Sequence, residues 1–382
     1  MRVVVVECKL PHLPSRVEEA VSMARTLGYE VVGALVQKRN SVHHSYCIGS
    51  GKLRELKSLV EEKDVEKVIF TNALPSSQIF KVQRELGGDV KVIDRNLLIL
   101  EVFDSRAMTM EAKLQIKLAQ LRYTFSWGRE YLKMKGILGE QVGWSGPGDY
   151  PFKEYEKAAR KRISKIAGKL AEIRLKKDLL RYRRRELGYP LVALAGYTQS
   201  GKTTFFNRVT CEGKNVGLGP FTTLTTFVKK VEAAAHGLTR SFLLIDSIGF
   251  VEDMHPIIID AFDSTLKEIA YADMVLLFLD AGDNLQTFTR KASSSNVILR
   301  RIGVKGEVKV CVNKMDLSDR ENLNSMGKVA RKLYPGSTVH FISAKTGKNV
   351  DKLLRAVDRG LNRWFKAEEA EAAVQGAASH PS

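Results

Sequence analysis

The stretch Gly196-Tyr197-Thr198-Gln199-Ser200-Gly201-Lys202-Thr203 decides the fold of this chain. It has the spacing G-x-x-x-x-G-K-[ST], and it stands between an apolar run at residues 191–195 and a helix-compatible run. Such a loop curls its backbone N–H groups around phosphate oxygens, and the helix N-terminus adds a partial positive charge. The sequence therefore predicts a phosphate-binding loop in which Lys202 reaches the β and γ phosphates and Thr203 ligates Mg²⁺.

Further apolar runs extend this pattern along the chain. Buried strands are predicted at residues 242–245, 274–279, 308–312 and 339–342. Near-continuous apolar runs that alternate with helices are typical of a parallel sheet covered on both faces. We therefore predict an α/β fold with a mostly parallel six-stranded sheet in a P-loop domain at residues 187–366.

Two segments after the loop predict contacts to metal and to the γ-phosphate. The run at 242–245 ends in Asp246-Ser247-Ile248-Gly249, where a carboxylate can hold Mg²⁺ through water and the Gly249 N–H can sense the γ-phosphate. Residues 217–226 contain four threonines. We expect one of them, Thr223, to close over Mg²⁺ when the triphosphate is bound.

The choice of base is predicted by two later segments. Asn313-Lys314-Met315-Asp316 follows the run at 308–312, and the Asp316 carboxylate can accept both the ring N1–H and the exocyclic amine of guanine. Ser343-Ala344-Lys345 follows the next run, where the Ala344 N–H can donate to guanine O6. Adenine would leave these polar groups unpaired. The sequence thus predicts a GTPase that binds GTP and GDP rather than ATP.

The predicted site gathers residues from all of these segments. The nucleotide contacts are Gly196, Thr198, Gln199, Ser200, Gly201, Lys202, Thr203, Thr204, Asp246, Gly249, Asn313, Lys314, Asp316, Ser343, Ala344 and Lys345. The metal ligands are Thr203, Thr223 and, through water, Asp246. The catalytic set is Lys202, Thr223, Gly249 and Phe250.

Phe250 departs from Ras-like GTPases, in which a glutamine at this position orients the attacking water. A phenyl ring cannot orient water. We therefore expect slow intrinsic hydrolysis that a partner stimulates. The polar side chains nearby are Glu252, Asp253 and His255.

The first hundred residues show a second alternation of strands and helices. Strands are predicted at residues 3–6, 31–36, 68–70 and 90–93, and helices near 17–26, 53–62 and 77–86. This alternation favours parallel strands joined by crossover helices. The prediction is a small parallel α/β domain at residues 1–107.

Residues 108–186 predict a two-helix antiparallel arm. Helical patterns at 108–125 and 151–186 flank a glycine-rich loop at 136–148. The second helix carries fourteen Lys/Arg and five Asp/Glu, a net charge of +9 and half of the protein's +18. A solvated helix surface and a polyanion-binding face both fit this charge.

Composition limits the classes of function. In this chain of 382 residues, 44% are hydrophobic and 27% charged, which is typical of a soluble globular protein, and the positive charge favours nucleic acid as a partner. The four cysteines are widely spaced, which favours a reducing cytoplasm, and no apolar run approaches the roughly 18 residues of a membrane span. We expect a monomer with a disordered tail at residues 367–382 and no membrane partner.

Several segments closely resemble the HflX family of translation-associated GTPases. They are residues 46–53, 92–95, 103–107, 111–115, 146–148, 246–251 and 261–268. The resemblance covers about residues 30–366 and implies a GTPase that binds the large ribosomal subunit and its RNA through the N-terminal domain and the arm. It also implies a role in translation or in the splitting of stalled ribosomes. Asp149-Tyr150 replaces the family's usual Glu-Thr, so splitting is a weaker expectation than binding.

Two other functions stay open on the sequence. One is a constitutive RNA-binding or anti-association protein whose nucleotide only stabilises the fold. The other is an assembly GTPase of the related Obg type, which would prefer immature subunits. In the leading hypothesis GTP orders residues 217–226 and 246–253, the arm engages ribosomal RNA, and hydrolysis releases it.

Overall fold

The computed structural model describes residues 1–87, 89–107, 109–128, 149–186, 188–211, 227–247, 249–250, 255–257 and 263–378. The chain divides into two compact units. The first comprises Met1–Arg174 with Met254–Phe262, and the second comprises Leu175–Asp253 with Asp263–Ser382. This division differs from the boundaries predicted at residues 107 and 186, because one long helix contributes to both units.

A four-stranded parallel sheet forms the centre of the first unit. Its strands are β1 (Arg2–Lys9), β2 (Glu30–Lys38), β3 (Lys67–Phe70) and β4 (Lys91–Ile93). They pair in the order β2-β1-β3-β4, and the helices α1 (Val17–Thr26), α2 (Ser50–Glu62) and α3 (Ser76–Glu85) connect them. The predicted small parallel α/β domain is confirmed.

Helix α4 (Arg95–Arg106) lies outside the helices predicted from sequence. Its N-cap is Asp94, whose side chain accepts a hydrogen bond from the Leu97 N–H at 3.0 Å. Most of the helix is buried, including Leu98, Ile99 and Leu100 in succession. Because apolar residues surround the helix axis, the sequence lacks the 3.6-residue periodicity that reveals a surface helix.

The arm consists of α5 (Met110–Thr124), a short 3-10 turn (Phe125–Trp127) and α6 (Asp149–Glu186). The Arg160 guanidinium lies 5.4 Å from the centre of the Phe125 ring, while Gly128 contacts Tyr155. Phe125 thus contacts Arg160, and Gly128, further along the first segment, contacts Tyr155, earlier in α6. The two segments therefore run antiparallel here, as predicted. The predicted glycine-rich loop at 136–148 lies outside the described residues.

A six-stranded sheet forms the centre of the second unit. Its strands are β5 (Leu191–Gly196), β6 (Phe227–Val231), β7 (Phe242–Asp246), β8 (Met274–Asp280), β9 (Glu307–Asn313) and β10 (Val339–Phe341). Their order is β10-β9-β8-β5-β7-β6, and every pairing is parallel except that of β6 with β7. The predicted mostly parallel six-stranded sheet is confirmed.

Helices cover this sheet and complete the unit. They are α7 (Lys202–Thr210), α8 (Ala233–His236), α9 (Asp263–Ala270), α10 (Leu285–Ile302), α11 (Arg320–Leu333) and α12 (Val350–Ala378). Helix α12 continues as far as Ala378, into the tail predicted to be disordered from residue 367, because alanine and glutamate favour continuation of the helix. Within the described ranges, no helix is long and apolar enough to cross a membrane.

The sheet gathers the predicted motifs at one edge. Parallel strands β5, β7, β8, β9 and β10 end on the same side, and the residues that follow them form neighbouring loops. Apolar side chains such as Leu194, Phe205 and Phe278 hold α7 against the sheet beneath these loops. In open α/β sheets this carboxyl edge is the usual position of a ligand.

Candidate functional site

The phosphate loop joins β5 to α7 and buries Lys202. Its Nζ donates hydrogen bonds to the carbonyl oxygens of Gly196 at 3.0 Å and of Tyr197 at 2.7 Å. Burial lowers the pKa of Lys202 to about 8, although the nearby Asp246 carboxylate acts in the opposite direction. The lysine therefore lies folded onto the loop, with its ammonium group held by carbonyl dipoles.

Two glycines give the loop its shape. Gly196 has φ +132° and Gly201 has φ +92°, both in the left-handed region. A Cβ atom would lie 2.3 Å from the Phe278 carbonyl oxygen at Gly196 and 2.2 Å from Asn313 Nδ2 at Gly201. The backbone of the neighbouring strand β8 thus requires glycine at Gly196, and the side chain of Asn313 requires it at Gly201. The other residues predicted to contact the nucleotide lie in this loop and in the first turn of α7. They are Thr198, Gln199, Ser200 and Thr204.

The structure brings together two of the three predicted metal ligands. Thr203, in the first turn of α7, donates from Oγ1 to Asp246 Oδ2 at the end of β7, at 3.0 Å. Both residues are buried. A hydroxyl and a carboxylate are the hard oxygen donors that suit Mg²⁺. The third predicted ligand, Thr223, lies outside the described residues.

Phe250 pairs with the phosphate loop through its backbone. Its N–H donates to the Gly196 carbonyl at 2.9 Å, and its carbonyl accepts from the Thr198 N–H at 3.0 Å. The buried phenyl ring meets Tyr197 edge to face, with ring centres 6.2 Å apart. Gly249 packs so closely that a Cβ atom there would lie 2.8 Å from the Thr198 backbone nitrogen. This position holds a packed aromatic ring where Ras-like enzymes have a polar side chain.

The polar residues considered near Phe250 fall into two groups. Glu252 and Asp253 lie outside the described residues. The His255 ring packs against Tyr123 of the first unit, with centres 5.2 Å apart. It is thus placed with the first unit's aromatic side chains.

Asn313 connects the phosphate loop to the predicted base-binding loop. Its Nδ2 donates to the Ser200 carbonyl at 2.8 Å, and its Oδ1 accepts from the Ala344 N–H at 2.8 Å. The N–H predicted to meet guanine O6 therefore already has a partner in this structure. Asn313 sets the spacing between the phosphate end and the base end of the site.

Asp316 is exposed beyond the end of β9, where a ligand can reach its carboxylate. A hydrogen bond from Ser343 is the main cause that lowers its pKa, and the positive charges of Lys345 and Lys314 add to it. The carboxylate is consequently ionised and able to accept two hydrogen bonds. Ser343 itself is buried, while Lys345 is exposed.

Two supporting residues have no place in the sequence motifs. Asp280, at the end of β8, accepts from Lys314 Nζ at 2.5 Å and fixes that lysine, whose φ is +62°. Arg208, near the end of α7, donates from Nε to the Ala344 carbonyl at 2.6 Å. Asp280 could have been found from the sequence, because an acidic residue at the end of a predicted strand is a candidate site residue. Arg208 gave no such signal.

Comparison with known families covers most of the chain. Residues 14–104 match the GTP-binding GTPase N-terminal family, 106–184 its middle region, and 191–314 the 50S ribosome-binding GTPase family. The GTPase HflX of Hyperthermus butylicus is 38% identical over 348 residues, which cover 88% of this chain and 90% of that protein. The chain belongs to the HflX family of GTPases.

Other HflX proteins and solved structures agree. The GTPase HflX of Thermococcus kodakarensis is 36% identical over 347 residues, covering 89% of this chain and 76% of the relative. The crystal structure of SsGBP with GDP has a TM-score of 0.53 and 26% identity, and covers 95% of this chain and 99% of that one. A GTP-binding protein from Sulfolobus solfataricus in complex with GDP has a TM-score of 0.50 and 27% identity, covering 93% and 97%.

Membership of the HflX family establishes the activity of this chain. It is a P-loop GTPase that binds guanine nucleotide and hydrolyses GTP. GTPases of this family generally use Mg²⁺ with the nucleotide. The family resemblance drawn from the sequence motifs is confirmed.

Proposed function

We propose that this HflX GTPase is a nucleotide-dependent switch that associates with the large ribosomal subunit and acts in translation or ribosome rescue. The proposal depends on one observation above all: a helix with an exposed ridge of lysines precedes the GTPase sheet in the same chain. We further propose a cytoplasmic location, where ribosomes are found.

The lysine ridge recurs every four residues along α6. It consists of Lys153, Lys157, Lys161, Lys165 and Lys169, and all five are exposed. Residues four apart are neighbours on a helix surface, with a rise of about 6 Å and a turn of about 40° from each to the next, so the five lysines form one row that winds along the helix. Such a row of cations suits the regularly spaced phosphates of RNA, whose binding releases counterions. The ridge supports the polyanion-binding interpretation of the arm over a merely solvated surface.

We assign the roles at the nucleotide site residue by residue. Lys202 would leave the loop carbonyls for the β and γ phosphates, a change favoured because phosphate restores the charge partner that burial denies it. Asp316 would accept from guanine N1–H and its amine, and the Ala344 N–H would turn to O6. Asn313 and Lys314 would keep these two loops in register.

Thr203, Asp246 through water and Thr223 would hold Mg²⁺. The contact between Thr203 and Asp246 supports this assignment, because the two oxygens already lie 3.0 Å apart. When bound, the ion neutralises charge on the β and γ phosphates. The residues themselves would orient the phosphates.

Slow intrinsic hydrolysis follows from Phe250, whose ring is buried against Tyr197. A partner would have to order the water or supply a polar group. Single-turnover hydrolysis by the pure protein, compared with the same protein on ribosomal subunits, tests this. We expect stimulation of at least about tenfold, and equal rates would remove the idea.

Sedimentation with ribosomes tests the switch itself. The protein is incubated with purified large subunits and a non-hydrolysable GTP analogue, GDP or no nucleotide. We expect binding to be strongest with the analogue, since a ligand shifts a conformation only through differential affinity. Equal binding in all three would favour the constitutive RNA-binding protein, and preference for immature subunits would favour the assembly GTPase.

Changing the ridge to glutamine separates RNA contact from nucleotide binding. We expect the quadruple change at Lys157, Lys161, Lys165 and Lys169 to flatten the salt dependence of RNA binding by about 0.7 per lost contact, with GTP affinity unchanged. The matched control removes four exposed charges from α11, at Arg320, Lys328, Arg331 and Lys332. Similar losses in both variants would show that only net charge matters.

A further inference from the structure

Arg208 joins the phosphate-binding helix to the loop that follows β10. Its Nε donates to the Ala344 carbonyl at 2.6 Å, and a terminal nitrogen donates to the carbonyl of Lys345. The two partners are separated from Arg208 by 136 and 137 residues of chain. A guanidinium carries its donors in a rigid fork, so one side chain can hold two successive carbonyls in a fixed orientation.

The direction of these carbonyls determines where the loop's N–H groups point. In a trans peptide unit the C=O and the N–H point in opposite directions. Since Arg208 holds the Ala344 carbonyl, the N–H of Lys345 in the same peptide unit is directed away from α7. On the other side of the loop, Asn313 accepts from the Ala344 N–H. Arg208 and Asn313 thus restrain opposite faces of the loop.

The loop closes tightly over the guanidinium. Gly347 has φ +88°, and a Cβ atom there would lie 2.9 Å from an Arg208 terminal nitrogen. The Gly347 N–H donates to the Ser343 carbonyl at 2.8 Å, and the Thr346 N–H donates to Ser343 Oγ at 3.2 Å. Hydrogen bonds to Ser343 therefore close the turn, and its Gly347 packs against the Arg208 guanidinium.

We infer that Arg208 is a positioning residue for guanine recognition, which presents the N–H group of Lys345 to the O6 atom of the base. The inference rests on the nucleotide site proposed above and names a determinant of its specificity outside the guanine motifs. Arg208 lies on the helix that begins with Lys202. One rigid element consequently holds both the phosphate contact and the support of the base loop, and fixes the distance between them.

Replacing O6 provides the decisive measurement. The affinities of GDP and of 6-thio-GDP, in which sulfur replaces O6, are measured for the wild type and for Arg208→Ala by displacement of a fluorescent GDP. Sulfur is the weaker acceptor, so the wild type should prefer GDP. We expect Arg208→Ala to bind GDP about tenfold less tightly and to reduce the preference over 6-thio-GDP by about threefold or more.

A second base analogue separates this role from that of Asp316. IDP retains O6 but lacks the exocyclic amine. Arg208→Ala should therefore weaken GDP and IDP equally, whereas Asp316→Asn should mainly remove the preference for GDP over IDP. Arg208→Lys should recover part of the lost affinity. The control Arg300→Ala removes an exposed arginine from the last turn of α10 and should leave all affinities unchanged.

The outcomes distinguish the inference from the proposed site. If Arg208→Ala keeps the wild-type ratio of GDP to 6-thio-GDP affinity within twofold, Arg208 does not position the loop and the inference is wrong. A loss of GDP affinity together with a lower melting temperature, at an unchanged ratio, also overturns it. If the wild type itself fails to prefer GDP over IDP and ADP, the proposed site fails first.

Discussion

The two sheets of this HflX GTPase end in polar residues at the same kind of edge and use them differently. At the carboxyl edge of the second sheet, Lys202 lies on loop carbonyls and Asp316 is exposed and ionised. At the carboxyl edge of the first sheet, Glu7 accepts from Ser15 Oγ and the Arg16 N–H, both at 2.7 Å. At the edge of the first sheet, the carboxylate of Glu7 is therefore hydrogen-bonded to a neighbouring loop of the same unit.

Asp94 makes the contrast sharper, because it follows β4 as Asp246 ends β7. It accepts from the Leu97 N–H at 3.0 Å, from the Leu74 N–H at 3.3 Å and from the Tyr123 hydroxyl. Burial raises the pKa of its carboxyl, although these hydrogen bonds act in the opposite direction. Asp316 shows the reverse. Of these two strand-end carboxylates, Asp94 is buried and Asp316 is exposed to solvent.

Matched changes of the two buried lysines should show the largest difference. Lys67 pairs with Glu101 at 2.9 Å, and we assign it no ligand, whereas we propose that Lys202 binds the phosphates. We expect Lys202→Met to weaken GTP binding by about 1,000-fold, since two charge-assisted contacts are lost, and to leave the fold intact. Lys67→Met should leave GTP affinity unchanged and lower the unfolding free energy by about 2 kcal/mol. The loss is limited because Glu101 still has Lys91 as a partner at 3.3 Å. Calorimetry and denaturant unfolding of both variants measure this.

Asparagine in place of the exposed aspartate should change specificity. Asp316→Asn replaces an acceptor of guanine N1–H and amine by a group that donates one hydrogen bond. We expect GTP affinity to fall by about 100-fold and xanthosine triphosphate to bind better than GTP. Competition binding with the two nucleotides measures the change. An unchanged preference for GTP would remove Asp316 from the site.

The pH dependence of stability should report the burial of Lys202. Its folded pKa of about 8 lies below the roughly 10.4 of an unfolded lysine, so the unfolded state binds more protons between these values. Stability therefore rises with pH in this window. In nucleotide-free protein we expect wild type to gain about 1.5 kcal/mol relative to Lys202→Met between pH 8 and 9.5. Parallel curves for the two proteins would contradict a depressed pKa.

The smallest effect is expected from asparagine at the buried aspartate. In Asp94→Asn, an amide nitrogen replaces one of the two carboxylate oxygens. If it replaces Oδ1, the Leu97 N–H loses its acceptor, and if it replaces Oδ2, the Leu74 N–H and the Tyr123 hydroxyl lose theirs. We expect a loss of about 1 kcal/mol in unfolding free energy and no change in preference for GTP over xanthosine triphosphate. Urea unfolding alongside Asp316→Asn completes the matched pair. A loss of nucleotide affinity in Asp94→Asn would mean that the first edge also serves the ligand.

Motifs and apolar periodicity in the sequence were sufficient to predict those elements that short stretches of chain specify. The phosphate loop, the strands at β5 and β8 and the helix α1 were predicted within a residue or two of their observed bounds. Helix α4 was missed because burial on all sides removes its periodicity. The edge strand β6 was missed because its partly exposed sequence Phe-Val-Lys-Lys-Val lacks a continuous apolar run.

Sequence alone determined which residues of the second sheet we assign to the nucleotide: a loop proposed for phosphates, a carboxylate proposed for Mg²⁺ and another proposed for guanine, since each assignment depends on residues adjacent in the chain. Tertiary structure decided which side chains support them. Arg208 meets Ala344 across 136 residues, and Asp280 meets Lys314 across 34. Tertiary structure also distinguished Asp94 from Asp316, because burial and hydrogen-bond partners come from distant segments that no local spacing encodes.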